Sequence, residues 1–340
     1  MADAAALLEP IRALHARIRD AVVAACEAAG TDEMSAVAGE DAVDTIYAID
    51  RVSEETLLDG LREVARHEPL VLMAEGLPGG SVTLPAGTPE VECRWRVLVD
   101  PIDGTRGLMY QKRSAWILTG IAPNGGAGTR LRDITLAVQT EIPLVKQHLS
   151  DQLWATRGAG FQARRFDRVR GTEVSLALRP SRAESPAHGF ATVCRFFPGV
   201  RDVLGAVDDE VIRAVLGPAT AGKADCFEDQ YACTGGQLYE LVAGHDRFVA
   251  DLRPLMKPVH AQRGLPTPLC VHPYDLCAVL IAEEAGVVVT GADGAPLDAP
   301  FALEADVSWI GYANDALRRT MEPALHAALR RRGLAAEETA

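Results

Sequence analysis

Two aspartates follow an apolar run in the segment VLVDPIDGTRG, which spans Val97 to Gly107. The run predicts a buried strand, so Asp100 and Asp103 would lie at its carboxyl end. An ionised carboxylate in such a place is costly to desolvate unless it is hydrogen-bonded, paired or bound to a metal. One such aspartate could simply cap a turn or a short helix. Two acids three residues apart, with Pro101 stiffening the link, favour a metal site instead.

A third acid, Glu75, also lies at the carboxyl end of a predicted strand, upstream of the two aspartates. The stretch PLVLMAEGLPGG predicts a short strand that ends at Glu75 and breaks into Gly and Pro. Open α/β sheets place ligands beyond the carboxyl ends of their strands. Hard cations such as Mg²⁺ prefer oxygen ligands and commonly leave coordination positions to water and substrate phosphate. The carbonyl oxygen of Ile102, which lies between the two aspartates in sequence, is a further candidate ligand.

Two other kinds of chemistry are disfavoured by the sequence. In the D-x-D-G-T motif the first Asp is a covalent nucleophile, but here Pro101 occupies that position. The seven cysteines are scattered without a C-x-x-C pair, which argues against a zinc site or a disulfide framework. The pattern therefore indicates metal-assisted chemistry without a covalent intermediate.

Length and charge limit the possible architecture, partners and location of the protein. A chain of 340 residues predicts two lobes or one large layered domain, and we predict an N-terminal α+β lobe over 1–170 and a C-terminal α/β lobe over 171–340. The net charge of −13 disfavours nucleic-acid and anionic-membrane partners. The sequence has no apolar run of transmembrane length, and its first thirty residues do not follow the order of a secretory signal. These features predict a cytoplasmic protein.

Hydrophobic periodicity predicts the elements around the acids. A second amphipathic helix between TDEMSAVAGED and Pro69, with Ile46 and Val64 among its apolar residues, carries Asp44 and Asp50. A later helix ending at Gly286 carries Asp275 in its first turn. Other predicted elements are a helix over 5–29, hairpins around PNGGAGTRLR and within QLWATRGAGFQARR, helices around 202–216 and 233–243, and a strand at DRFVAD.

The blocks WRVLVDPIDGTRGLMY and HPYDLCAVLIAEEAGVVV, with Glu75 upstream, resemble the inositol monophosphatase family of magnesium-dependent, lithium-sensitive phosphatases. Its superfamily includes fructose-1,6-bisphosphatases and bisphosphate nucleotidases. The resemblance implies a layered αβαβα sandwich with a mostly antiparallel first sheet and a mixed second sheet. It also implies that water activated by two or three Mg²⁺ ions hydrolyses a small phosphorylated metabolite, a phosphate monoester that is either similar to inositol monophosphate or a sugar phosphate. A homodimer is one candidate assembly.

The resemblance also assigns roles to individual residues. Thr105 and Glu75 would orient the attacking water, and Asp103 belongs with them to the catalytic set. The backbone of Gly104 and Thr105 would bind the phosphate, and Asp251 would contact a substrate hydroxyl. The implied metal ligands are Glu75, Asp100, the carbonyl of Ile102, Asp103 and Asp275, with Asp50 near a more weakly held ion.

Departures from the family pattern leave the substrate open. Ala74-Glu75-Gly76 stands where the family commonly has Gly-Glu-Glu, and Tyr274 replaces the usual tryptophan. The long connection before Asp275 is locally basic, and its Arg253 and Arg263 are expected either to contact an anionic substituent or to belong to a surface loop. The alternatives are a sugar bisphosphate or nucleotide 3′-phosphate phosphatase, and a metal-binding scaffold that has lost turnover.

Overall fold

The protein is described here from a computed structural model, which covers residues 4–29, 37–40, 45–77 and 79–334, with the backbone alone at 37–40 and 45–50. The α-helices of these ranges are α1 Ala5–Ala28, α2 Ala48–Ala65, α3 Thr105–Met109, α4 Arg201–Leu216, α5 Thr234–Ala243, α6 Lys257–Gln262, α7 Val279–Ala285 and α8 Asp315–Arg330. The strands are β1 Val37–Glu40, β2 Thr45–Tyr47, β3 Leu70–Ala74, β4 Ser81–Leu84, β5 Trp95–Asp103, β6 Ala115–Pro123, β7 Leu136–Ile142, β8 Leu149–Thr156, β9 Phe161–Asp167, β10 Thr172–Ser175, β11 Phe190–Val193, β12 Asp246–Asp251, β13 Val288–Thr290 and β14 Trp309–Tyr312.

Two sheets organise the chain. The larger has the order β10-β9-β8-β7-β6-β5-β3-β4, and its neighbours are antiparallel except for the parallel pair β3 and β5. The smaller has the order β11-β12-β14-β13 and is mixed, because β11 runs parallel to β12. A mostly antiparallel first sheet and a mixed second sheet are as the sequence predicts. The lobe boundary at 170 and 171 stays a prediction.

The helices form three layers around these sheets. α1 and α2 cover one face of the larger sheet, α5 and α7 lie between the two sheets, and α4 and α8 cover the outer face of the smaller sheet. All nine residues of β5 are buried, because helices cover the sheet on both sides. The architecture is therefore the predicted αβαβα sandwich. Within the described ranges, none of the helices has the length and apolar character needed to cross a bilayer.

Most predicted elements are confirmed, including α1, the hairpins β6–β7 and β8–β9, and α4, α5 and β12. The second helix begins later than predicted, because Ile46 lies in β2, and Asp44 lies outside the described residues. Asp275 does not lie in the first turn of α7, which begins at Val279. It lies in a preceding segment of tight turns, where its carboxylate accepts the backbone N–H of His272 at 2.6 Å.

A buried histidine connects the outer helical layer to the larger sheet. The ring of His15 on α1 lies 2.8 Å from the hydroxyl of Thr119 on β6 and 3.0 Å from that of Thr140 on β7. The side chain is fully buried, and this burial lowers the pKa of His15 to about 3. The imidazole is therefore neutral in the folded protein at neutral pH.

This depressed pKa makes the stability depend on pH. Between about pH 6.5 and pH 3 the unfolded chain binds a proton at His15 that the folded chain does not, so stability falls as the pH falls. We expect the wild type to lose about 2 kcal/mol more of its unfolding free energy than His15→Gln between pH 7 and pH 5. Urea denaturation of both proteins at the two pH values measures this difference, and equal losses would contradict it.

Candidate active site

Strand pairing brings the acids at the ends of β3 and β5 to the same edge of the larger sheet. β3 and β5 are parallel neighbours, and Ala74 pairs with Val99. The next residues, Glu75 and Asp100, therefore leave the sheet side by side at its carboxyl edge. The pairing of β5 with β6 is irregular between Asp100 and Asp103, so both aspartates belong to the end of one strand.

Asp275 joins these two aspartates from the second half of the chain. Each of the three carboxylates has an oxygen within 4.8 Å of an oxygen of the others. Asp100 and Asp103 are buried, and Asp275 is half-buried. The Asp103 carboxylate accepts the backbone N–H of Gly235 at the start of α5, where the helix dipole favours a negative charge.

The cluster is electrostatically unfavourable without a cation. Burial raises the pKa of Asp100 well above its usual range, and the charges of Asp103, Glu75 and Asp275 raise it further. Burial likewise raises the pKa of Asp103 to about 6, although the hydrogen bond from Gly235 opposes this shift. The pKa of Asp275 is raised by burial and by Asp103. A set of mutually repelling oxygen donors fits a hard divalent cation such as Mg²⁺.

Glu75 contacts Tyr274, the residue that stands where the family named above usually has tryptophan. The Tyr274 hydroxyl donates a hydrogen bond to Glu75 Oε1 at 3.3 Å. The ring of His272 stacks on Tyr274 with centroids 5.4 Å apart, and His272 Nδ1 lies 3.2 Å from the carbonyl oxygen of Ala305. Tyr274 therefore supplies a hydrogen bond that fixes the orientation of the Glu75 carboxylate.

Gly104 and Thr105 form the turn that follows β5. The Thr105 hydroxyl donates to the carbonyl oxygen of Ile102 at 2.8 Å, and that oxygen keeps a second lone pair for another partner. Gly104 has a φ of +92°, and a Cβ there would lie 2.9 Å from both Cβ and Sγ of Cys233. Both the backbone conformation and the close contact therefore require glycine.

The three aspartates, Glu75, Tyr274 and the turn at Gly104 and Thr105 line one cavity of about 340 Å³. It is also lined by Phe196, Phe197, Arg253, Leu269 and Cys270, and by Arg106, which is exposed. Glu54 on α2 and Gly76 also line it. Glu54 and the two phenylalanines are not predicted from the sequence, because they belong to no recognisable motif and do not follow a predicted strand.

The remaining predicted site residues lie elsewhere. Asp251 is fully buried, and its carboxylate accepts hydrogen bonds from Arg253 Nε at 2.9 Å and Nη2 at 2.7 Å. Arg253, rather than Asp251, lines the cavity, so the substrate contact predicted for Asp251 gains no support from its position. Arg263 instead pairs with Asp202 at 2.8 Å on the exposed surface. The Asp50 side chain lies outside the described residues.

Comparison with solved structures identifies the fold. The extragenic suppressor protein suhB from Bartonella henselae matches with a TM-score of 0.63 and 16% identity, over 94% of this chain and 98% of that one. Leishmania major fructose-1,6-bisphosphatase in its holo form matches with a TM-score of 0.68 and 13% identity, over 96% and 93% of the two chains. The chain therefore shares the fold of these two proteins.

A third structure with this fold is titled an inositol monophosphatase and fructose 1,6-bisphosphatase, with a TM-score of 0.63 and 16% identity over 93% of this chain and 98% of that one. No protein-family model matches the sequence, and no curated protein matches it. Similarity at this level of identity establishes the fold, whereas the activity must be argued from the site.

The turn at Gly104 yields a stability prediction. Gly104→Ala places a methyl group against Cys233 and forces alanine into a left-handed conformation, so we expect a loss of at least about 1–2 kcal/mol of unfolding free energy. The matched control is Gly128→Ala, since a Cβ there meets no atom within 4 Å, and it should change stability by less than about 0.5 kcal/mol. Urea denaturation measures both, and similar losses in the two variants would contradict the role of Gly104.

Proposed function

We propose that the protein is a metal-dependent phosphatase that hydrolyses a small phosphate monoester with water activated by Mg²⁺. The observation that carries this proposal is the convergence of Asp100, Asp103 and Asp275 within 4.8 Å at one wall of a ligand-sized cavity. The titles of the matched structures, which include two bisphosphatases, support the same class of activity.

The residues proposed to hold the metal are Asp100, Asp103, Asp275, Glu75 and the carbonyl of Ile102. When bound, Mg²⁺ neutralises charge on the phosphate and lowers the pKa of water. Two or three ions, and sensitivity to Li⁺, follow from the family resemblance and stay predictions.

Glu75 and Thr105 are proposed to position the attacking water. The Thr105 hydroxyl donates a hydrogen bond to the Ile102 carbonyl, so the hydroxyl oxygen can accept a hydrogen bond from a water molecule. Glu75, oriented by Tyr274, can accept the other water proton. With both protons directed in this way, a lone pair of the water oxygen is left to attack the phosphorus in line with the leaving group.

A covalent mechanism through a neighbouring thiol is disfavoured. The cavity is also lined by Cys233, whose Sγ–H donates to the backbone carbonyl of Asp103 at 3.3 Å. Burial raises the pKa of Cys233 well above its usual range, and the charge of Asp103 raises it further. The thiolate, which is the nucleophilic form, is therefore scarce at neutral pH.

One observation favours the nucleotide alternative among the possible substrates. Phe196 and Phe197 are half-buried at the cavity wall, with ring centroids 6.2 Å apart in an edge-to-face arrangement. The Arg253 guanidinium lies 5.0 and 5.3 Å from these two centroids and is held by Asp251. A rigid aromatic wall suits a planar base better than a polyhydroxylated ring. A nucleotide 3′-phosphate is therefore the second candidate substrate.

The activity is tested by Asp103→Asn. The amide can still accept the N–H of Gly235, while the lost charge relieves repulsion with Asp100 and Asp275. We expect phosphate release from p-nitrophenyl phosphate with Mg²⁺ to be abolished, and the melting temperature in EDTA to equal or exceed that of the wild type. Asp209→Asn on the exposed face of α4 is the control and should keep full activity. Full turnover by Asp103→Asn would contradict the mechanism, and an inactive wild type would favour a scaffold.

The aromatic wall is tested by Phe197→Ala. If a base packs against this ring, KM for a nucleotide 3′-phosphate should rise about fivefold, equivalent to about 1 kcal/mol, while KM for glycerol 2-phosphate should stay unchanged. Phe190→Ala removes an exposed ring on β11 outside the cavity and should change neither value. Equal changes for both substrates would contradict the nucleotide alternative.

A further inference from the structure

Gly76 occupies the position of the second acid that the family pattern commonly has. Ala74 to Leu77 form a turn, in which the Leu77 N–H donates to the Ala74 carbonyl at 3.4 Å. Gly76 has a φ of +79° at the third position of this turn, a conformation that glycine adopts most readily. Only Glu75 of this turn therefore carries a carboxylate.

Another carboxylate fills the space next to this glycine. A Cβ built on Gly76 would lie 2.1 Å from Oε1 and 2.9 Å from Cδ of Glu54. The carboxylate of Glu54 is therefore packed against the bare Cα of Gly76, and any side chain at position 76 would displace it. The Glu54 carboxylate therefore occupies the space that a side chain at position 76 would need.

The helix directs Glu54 toward the cavity. Leu57 and Leu61, three and seven residues later, are buried in the core, so Glu54 lies at the edge of the same helical face. Glu54 itself is half-buried and lines the cavity together with Glu75. The neighbouring Glu55 is exposed and lies outside the cavity lining.

We infer that Glu54 is a carboxylate of the divalent-cation site and supplies beside Glu75 the acid that is absent at position 76. This inference rests on the proposed metal-dependent function. A half-buried carboxylate that packs against Gly76 and lines the same cavity as Glu75 brings an oxygen donor to this cavity, and hard cations bind through such donors or through waters that they hold. The close contact with Gly76 fixes where this donor lies.

Calorimetric titration of the metal-free protein with Mn²⁺ tests the inference without measuring turnover. We expect Glu54→Gln to weaken Mn²⁺ binding by about 10- to 100-fold, as loss of groups around a metal site commonly does. Glu55→Gln removes the same charge one residue away and should bind Mn²⁺ like the wild type. Melting temperatures in EDTA show that both variants are folded.

The contact between Glu54 and Gly76 allows a second, independent test. Gly76→Ala should also weaken Mn²⁺ binding, because its methyl group displaces the Glu54 carboxylate. The same substitution in a Glu54→Ala background should weaken binding much less, since strain at position 76 is common to both backgrounds and cancels in the comparison.

The possible outcomes distinguish failure of the proposed function from failure of the proposed role of Glu54. No saturable Mn²⁺ binding by the wild type would overturn the proposed function itself. Wild-type binding with an unchanged Glu54→Gln would overturn only the role of Glu54, and so would equal weakening by Glu54→Gln and Glu55→Gln. Equal effects of Gly76→Ala in both backgrounds would show that this contact does not position a metal-binding carboxylate.

Discussion

Repulsion among buried carboxylates is the constraint on which the rest of the site depends. Asp100 and Asp103 end a strand that is buried along its whole length, and Asp275 is brought against them by the turns before α7. The sandwich keeps this arrangement because its large core compensates for a local cost at one sheet edge. The neighbouring groups restrict how the acids can separate: Gly235 binds Asp103, and His272 binds Asp275.

Part of this site could be predicted from local sequence. The aspartates of β5 and Glu75 directly follow apolar runs, and two such runs in a parallel pair must deliver their acids to the same edge. Asp275 has no comparable local signal, and its role came from the family resemblance alone. The start of its helix was misplaced, because hydrogen bonds between residues three apart continue the helical pattern backwards from Val279.

Other features could not be predicted, because they depend on tertiary contacts. Glu54 reaches the cavity because α2 packs beside it and because Gly76 has no side chain. Glu54 and Gly76 lie 22 residues apart in the sequence. The sequence predicts that the basic connection after β12 either contacts an anionic substituent or forms a surface loop. In the structure Arg263 pairs with Asp202 on the surface, whereas Arg253 lines the cavity and is bound by Asp251. Charge along a sequence does not show which residues are already neutralised by a partner in the fold.

The central claim is that the three aspartates form a divalent-cation site, and anomalous diffraction from crystals grown with Mn²⁺ tests it most directly. The account predicts strong anomalous peaks within coordination distance, about 2.0–2.4 Å, of carboxylate oxygens of Asp100, Asp103 and Asp275. A fully occupied Mn²⁺ elsewhere on the protein, with no peak among these three carboxylates, would contradict it.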